Sequence, residues 1–107
     1  MSIDYAKLTT DLTAAVAEAQ RVAEQHPDDG GTCNFDCPEV YLPCAREATI
    51  DRAARDAGIR AFRQQRGAYH FSVPVGAQGA RRTIQAEAMA MVLAERGWAA
   101  HTYYRMD

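Results

Sequence analysis

The order in which helix-like and strand-like segments follow one another constrains the fold of this chain more than any other sequence feature. Apolar residues that recur at spacings of three and four predict three amphipathic helices, over residues 3–26, 46–57 and 80–96. Segments that alternate apolar and polar residues predict four strands, over residues 32–42, 60–64, 68–75 and 98–105. After the first helix, the order is strand-helix-strand-strand-helix-strand, which is the split βαβ pattern of ferredoxin-like folds.

This pattern predicts an α+β fold in one domain, residues 1–107. Residues 1–27 would be an added N-terminal helix, and residues 28–107 a ferredoxin-like βαββαβ unit. We expect a four-stranded antiparallel sheet in the order 4-1-3-2 with the helices on one face. The apolar stripe of the first helix is narrow and rich in alanine, so we expect that helix to lie against the rest of the domain, or against a partner, rather than to form the centre of the core. Pro38 should break or bulge the first strand, because proline has no N–H to donate.

Composition limits the classes of function. The chain has 107 residues, is 48% hydrophobic and carries a net charge of -2, which is typical of one ordinary globular domain. No apolar run approaches the roughly 18 residues of a membrane span, and no secretion signal is evident at the N-terminus, so we expect no membrane partner and a cytoplasmic location. An odd number of cysteines agrees with a reducing compartment. The near-neutral charge and the lack of an aromatic and basic series argue against a nucleic-acid partner.

All three cysteines lie within residues 28–44, spaced C-x3-C-x6-C. This spacing matches no metal or redox signature, and a zinc site at Cys33, Cys37 and Cys44 would need a distant fourth ligand. The alternative is that Cys33 and Cys37 are small buried residues on the core face of a strand. Cys44 stands just before a helix, where the positive end of the helix dipole favours a thiolate. Cys44 is therefore the candidate nucleophile, against the alternative of a merely packed or exposed thiol.

A second group of candidates follows from the predicted topology, which puts the first and third strands side by side. One sheet face should then carry four polar side chains: Asn34, Asp36, His70 and Ser72. The last strand should add one of two pairs: His101 and Tyr103, or Thr102 and Tyr104. Such a face could position a polar ligand or a metal ion, and Asp36 and His70 could transfer protons. The alternative is a solvated face, or one covered by the N-terminal helix or by a second subunit.

A third group lies where a strand runs through Gly76 and Gly79 into a helix whose first turn carries Arg81 and Arg82. Free N–H groups at a helix start attract anions. Two arginines there oppose the helix dipole, and such a local conflict is more common at functional sites. The alternative is that the arginines pair with acidic residues: Asp28, Asp29, Asp36 or Asp107.

Together these patterns predict a small binding domain without evident catalytic machinery and without a cofactor. Its partner would be a protein, including a second copy of the chain, or a small anionic ligand. The predicted ligand-binding residues are Gly76, Gly79, Arg81, Arg82, Asn34 and Asp36. The alternative is a metal- or thiol-dependent enzyme with its site around residues 28–44, formed by Asn34, Asp36, Cys44 and His70.

Overall fold

A computed structural model of the chain describes residues 3–27, 31, 34–76 and 78–105. It contains three helices and four strands, and in chain order these are α1 (Tyr5–Gln25), β1 (Cys37–Tyr41), α2 (Glu47–Asp56), β2 (Ala61–Gln65), β3 (Ala68–Phe71), α3 (Gly79–Glu95) and β4 (Ala100–Tyr103). The predicted α+β class and the four-stranded antiparallel sheet are confirmed.

The strands lie in the order β2-β3-β1-β4, which becomes β4-β1-β3-β2 when the sheet is read from its other edge. β1 is central and pairs with both β3 and β4. Its register sets Glu39 opposite His70 on one side and His101 on the other. Directly opposed residues share a sheet face, so these three side chains form a row across three strands.

The two faces of the sheet differ. On one face, Val40, Tyr69 and Phe71 are buried in the core with residues from all three helices. The other, which we call the open face, carries the strand residues of opposite phase: Cys37, Glu39, Tyr41, Phe62, His70, His101 and Tyr103. Tyr41 and Phe62 are about half exposed there. The open face is therefore where side chains from all four strands are available to a ligand.

β1 begins later than predicted. It starts at Cys37, whereas Asn34 and Asp36 precede it, and residues 32 and 33 lie outside the described part of the chain. The predicted break at Pro38 is wrong, since the pairing with β4 continues through Pro38 and Thr102 without a shift. β3 pairs with β1 only from Glu39 onward, so Pro38 lies where β4 alone flanks the strand. There the missing N–H does not interrupt a ladder on both sides.

α1 lies against the rest of the domain, but the prediction that it does not form the centre of the core is wrong. Leu8, Leu12 and Ala15 are fully buried, and α1 packs along α3 and against α2. The small alanines allow close approach of α1 to α3, and each fully buried leucine contributes about 1.5–3 kcal/mol. α1 is thus an integral part of the core.

A buried carboxylate fastens α1 to the end of α3. Asp11 accepts hydrogen bonds from Lys7 Nζ (2.6 Å), Trp98 Nε1 (2.8 Å) and Arg96 Nη1 (3.0 Å). Lys7 Nζ also donates to the carbonyl oxygen of Arg96 (2.8 Å), which follows the last residue of α3. Burial alone would raise the pKa of Asp11, but the hydrogen bonds from Lys7, Trp98 and Arg96 outweigh it and lower the pKa from 3.8 to about 2.

We expect Asp11→Asn to lower the free energy of unfolding at pH 7 by about 1–3 kcal/mol, because charge-assisted bonds to a buried group are lost. The folded-state pKa lies below the usual value, so the contribution is complete above about pH 4 and is lost as the pH falls toward about 2. Urea denaturation at pH 7, 4 and 2.5 measures both effects. Asp51→Asn, at an exposed position of α2, is the control. A variant at Asp11 with the stability and acid sensitivity of the wild type would contradict this assignment.

Candidate functional site

The row across the open face is a hydrogen-bonded unit centred on Glu39. Glu39 Oε2 lies 2.6 Å from His70 Nε2, and Glu39 Oε1 lies 2.9 Å from His101 Nε2. The His70 side chain is 9% exposed, whereas that of His101 is 63% exposed. One carboxylate therefore holds a buried histidine and an exposed one at the same time.

Glu39 also fixes which nitrogen of each histidine carries hydrogen. An ionised carboxylate only accepts hydrogen bonds, so both Nε2 atoms must donate. Among the described residues, the ring of His70 makes one hydrogen bond, through Nε2, and Nδ1 has no partner. Among the described residues, Thr9 Oγ1 is the one inaccessible side-chain polar atom without a hydrogen bond. His70 Nδ1 must therefore be accessible to solvent, and in its neutral form it is a free acceptor.

A cavity of about 390 Å³ opens beside His70, at the end of the open face where β1 begins and β4 ends. Its lining consists of Phe35, Cys37, Phe62, Gln64, His70, Phe71, Ser72, Arg82, Tyr103 and Arg105. The rings of His70 and Tyr103 lie 4.5 Å apart between centroids, which helps to hold the imidazole in place. Phe35 and Phe62 are each about half exposed. The cavity thus has aromatic walls and one oriented histidine.

Two arginines give the cavity its charge. Arg82 Nε donates to the carbonyl oxygen of Asp36 (3.0 Å), and the guanidinium of Arg105 lies 5.9 Å from the centroid of the Phe35 ring. Neither guanidinium forms an ion pair, although other arginines of the described chain do. Positive charge therefore remains available at the cavity, because no described carboxylate pairs with it.

Asn34 and Asp36 do not lie in the row with His70, so that prediction is wrong. Asp36 is 6% exposed, and its carboxylate accepts hydrogen bonds from Thr83 Oγ1 (2.7 Å) and the Arg105 N–H (2.7 Å). Asn34 Nδ2 donates to the carbonyl oxygen of Gly79 (3.1 Å). The register explains the difference, because Cys37 and Glu39 occupy the face that we assigned to Asn34 and Asp36. These two side chains fasten the segment before β1 to α3 and to the end of β4.

The residues of the predicted anion-binding group, Gly76, Gly79, Arg81 and Arg82, do not form one site in the structure. Gly79 is the first residue of α3 and has a φ of 60°, whereas Gly76 is exposed in the preceding loop and residue 77 is outside the described part. Arg81 Nε donates to the carbonyl oxygen of Ala23 near the end of α1 (3.0 Å). Arg82 is the member of this group that lines the cavity.

The predicted alternative was that Arg81 and Arg82 pair with acidic side chains. Asp28, Asp29 and Asp107 lie outside the described residues. Asp36 meets Arg82 through its backbone carbonyl oxygen rather than its carboxylate. Both arginines thus use backbone carbonyl oxygens as acceptors for Nε.

The cysteines occupy different environments. Cys37 is buried at the cavity, and this burial raises the pKa of its thiol to about 11. Cys44 is exposed, lies three residues before the start of α2 and does not line the cavity. Cys33 is outside the described residues. Within the described ranges, no three His, Cys, Asp or Glu side chains are grouped so that they could hold a metal ion.

Glu39 and Arg105 are site residues that sequence analysis missed, and Glu39 is the one that the sequence could have indicated. Side chains alternate between the two faces of a strand, so the prediction that put Asn34 and Asp36 on the face of His70 put Glu39 on the opposite face. The available signal was a charged residue between Pro38 and Val40 in a strand predicted to be central. A carboxylate there requires a partner, and a histidine on each neighbouring strand could supply one. Of the two pairs considered for the last strand, the open face carries His101 and Tyr103.

Comparisons of the chain with protein-family models, with curated proteins and with solved structures found no match. Among the described residues, no helix combines the length and the apolar character that a membrane span needs.

We expect native Cys37 to resist alkylation at pH 7, because its buried thiol stays protonated, and exposed Cys44 to react first. The rate at Cys37 should rise with pH toward about 11, since the reactive thiolate forms only there. Iodoacetamide labelling read by fragment mass spectrometry assigns each site, with urea-unfolded protein as the control. Equal rates at the two thiols in the folded protein at pH 7 would contradict the burial of Cys37.

We expect Asp36→Ala to lower the free energy of unfolding by about 1–3 kcal/mol, because the Thr83 hydroxyl and the Arg105 N–H lose their acceptor. Thr83→Val should cost about 1 kcal/mol, and the double variant should cost less than the sum of the two. Chemical denaturation of all four proteins gives the coupling free energy. Additive effects would mean that the hydrogen bond between Asp36 and Thr83 does not contribute.

Proposed function

We propose that this chain binds a small anionic ligand with an aromatic or other apolar body in the cavity of the open face. The observation that carries the proposal is that Arg82 and Arg105, both without ion-pair partners, line the same cavity as four aromatic side chains, Phe35, Phe62, Phe71 and Tyr103. A carboxylate or phosphate would be held by the guanidinium groups, while the apolar body packs on the aromatic walls. The cavity volume of about 390 Å³ lies in the range of small-molecule sites.

The charge balance of the open face supports an anion rather than a cation. Glu39 is the acidic side chain of the row, and its two oxygens are already engaged by His70 and His101. The carboxylate of Asp36 is likewise committed to Thr83 and to a backbone N–H. Among the described residues, a ligand cation would therefore find no free carboxylate at the cavity, whereas an anion would find two guanidinium groups.

We further propose the ferredoxin-like description for the βαββαβ unit of residues 28–107. The element order from β1 to β4 supports it. A cytoplasmic location is proposed as well, since Cys37 and Cys44 are free thiols, which reducing compartments preserve.

A second candidate function is self-association through the open face. Tyr41 and Phe62 are large apolar residues that are about half exposed on it, and side chains of this kind often mark protein interfaces. Light scattering distinguishes the two candidates, because a dimer of 107-residue chains in the absence of any ligand would favour self-association.

We expect 3-phenylpropanoate to bind saturably and to bind about tenfold or more tightly than the uncharged 3-phenylpropanamide, because the charge-assisted hydrogen bonds are lost in the amide. Arg105→Gln should lower the affinity for the acid by a similar factor and leave the affinity for the amide unchanged. Calorimetry supplies the affinities, and amide chemical shifts locate the site.

Arg66→Gln is the matched control, because Arg66 is exposed between β2 and β3 and does not line the cavity. Arg82 is less suitable for substitution, since its bond to the Asp36 carbonyl oxygen also holds the segment before β1. Equal binding of acid and amide, or an Arg105→Gln variant with unchanged affinity for the acid, would overturn the proposal of an anion site.

A further inference from the structure

His70 has a feature that ligand binding alone does not use. Its Nε2 is held by Glu39 at 2.6 Å, its ring contacts Tyr103, and its Nδ1 is accessible without a protein partner. A histidine with one ring nitrogen held by a carboxylate, and with the other nitrogen accessible and not hydrogen-bonded to a described residue, is arranged as a general base. The carboxylate selects the tautomer and stabilises the imidazolium that forms when Nδ1 takes a proton.

The groups around His70 limit the kinds of reaction in which it could act as a base. The thiol at the cavity, Cys37, is kept protonated by burial, so it is not an activated nucleophile. What the cavity does supply next to the base is positive charge, from Arg82 and Arg105. A base together with a cation is sufficient to move a proton from a carbon atom next to a carbonyl group, because the cation stabilises the enolate oxygen.

We infer that the cavity is a proton-transfer site in which His70 Nδ1 is the base and small 2-oxo acids with an apolar group are the substrates. This inference rests on the proposed anion site, with one guanidinium binding the substrate carboxylate. Nδ1 takes a proton from the carbon next to the carbonyl. The C–H electron pair becomes the carbon–carbon double bond, and the carbonyl π pair moves to oxygen, where a guanidinium stabilises it.

The imidazolium proton exchanges with water at the accessible Nδ1, and the imidazolium then returns a proton, either to the enolate oxygen, which gives the enol, or to the carbon, which gives back the oxo acid. Atoms and electrons balance without an oxidant, reductant or second substrate. His70 is the catalytic residue in this scheme. Glu39 is a positioning residue, and His101 helps to hold Glu39 through its other oxygen.

Phenylpyruvate is the test substrate, and its C3 hydrogens should exchange with D₂O faster than in buffer alone, as measured by NMR. His70→Ala should lower the enzymatic exchange rate about a hundredfold or more, since general bases contribute factors of that size. Added imidazole should restore part of the rate, which a purely structural role would not allow. His70→Gln, which keeps an amide donor for Glu39 but lacks the base, is the second variant if His70→Ala does not fold.

Glu39→Gln should lower kcat and leave KM within about twofold, because Glu39 acts through His70 and does not hold the substrate carboxylate. His26→Ala, which replaces an exposed histidine at the end of α1, is the control and should catalyse the exchange at the rate of the wild type. Exchange in the wild type no faster than in buffer, while 3-phenylpropanoate still binds, would overturn the inference and leave the anion site standing. Exchange unchanged in both His70 variants would also overturn it, and failure of 3-phenylpropanoate to bind would overturn both proposals.

Discussion

The register of β1 against its two neighbours is the constraint on which the rest of the structure depends. Val40 must face the core with Tyr69, so Glu39, one position away, must face outward between His70 and His101. A slip of one residue would exchange these faces and bury a carboxylate in the apolar core. The apolar packing on one side of the sheet therefore determines the polar arrangement on the other, and the site inherits its geometry from the core.

The start of α3 shows how a local conflict is resolved by tertiary contacts. Arg81 and Arg82 stand in the first turn, where the helix dipole disfavours positive charge. Arg81 donates to a carbonyl oxygen near the C-terminal end of α1, where the dipole of that helix favours a cation. Arg82 donates to the carbonyl oxygen of Asp36 and keeps the rest of its guanidinium at the cavity. One arginine thus joins two helices, and its neighbour joins the helix to the candidate site.

The spacing of apolar residues predicted most of the fold. The two helices that end at a glycine follow the helical period, and the segments around Val40, Tyr69 and Phe71 alternate apolar and polar residues as strands do. The spacing did not show which residues of β1 face the core. Cys33, Phe35 and Cys37 have the sequence pattern of an apolar face, and Asn34 and Asp36 have that of a polar face. The outcome depended on hydrogen bonds to Thr83 and Arg105, which lie far away in sequence. The central place of α1 was hidden as well, because an alanine-rich stripe looks weak until its close packing on α3 is known. Of the candidate site, His70, His101, Tyr103 and Arg82 were among the sequence candidates, whereas Glu39, Arg105 and the phenylalanines of the cavity required the structure.

The central place of α1 also has a consequence for the order of events during synthesis. The ribosome makes α1 before the sheet and before α3, the helix on which it packs most extensively. The surface of α1 that contacts α3 therefore has no partner until residues up to Glu95 have emerged, and this part of the core closes only after α3 has been made. During that interval the apolar face of this helix is a segment that a chaperone can bind.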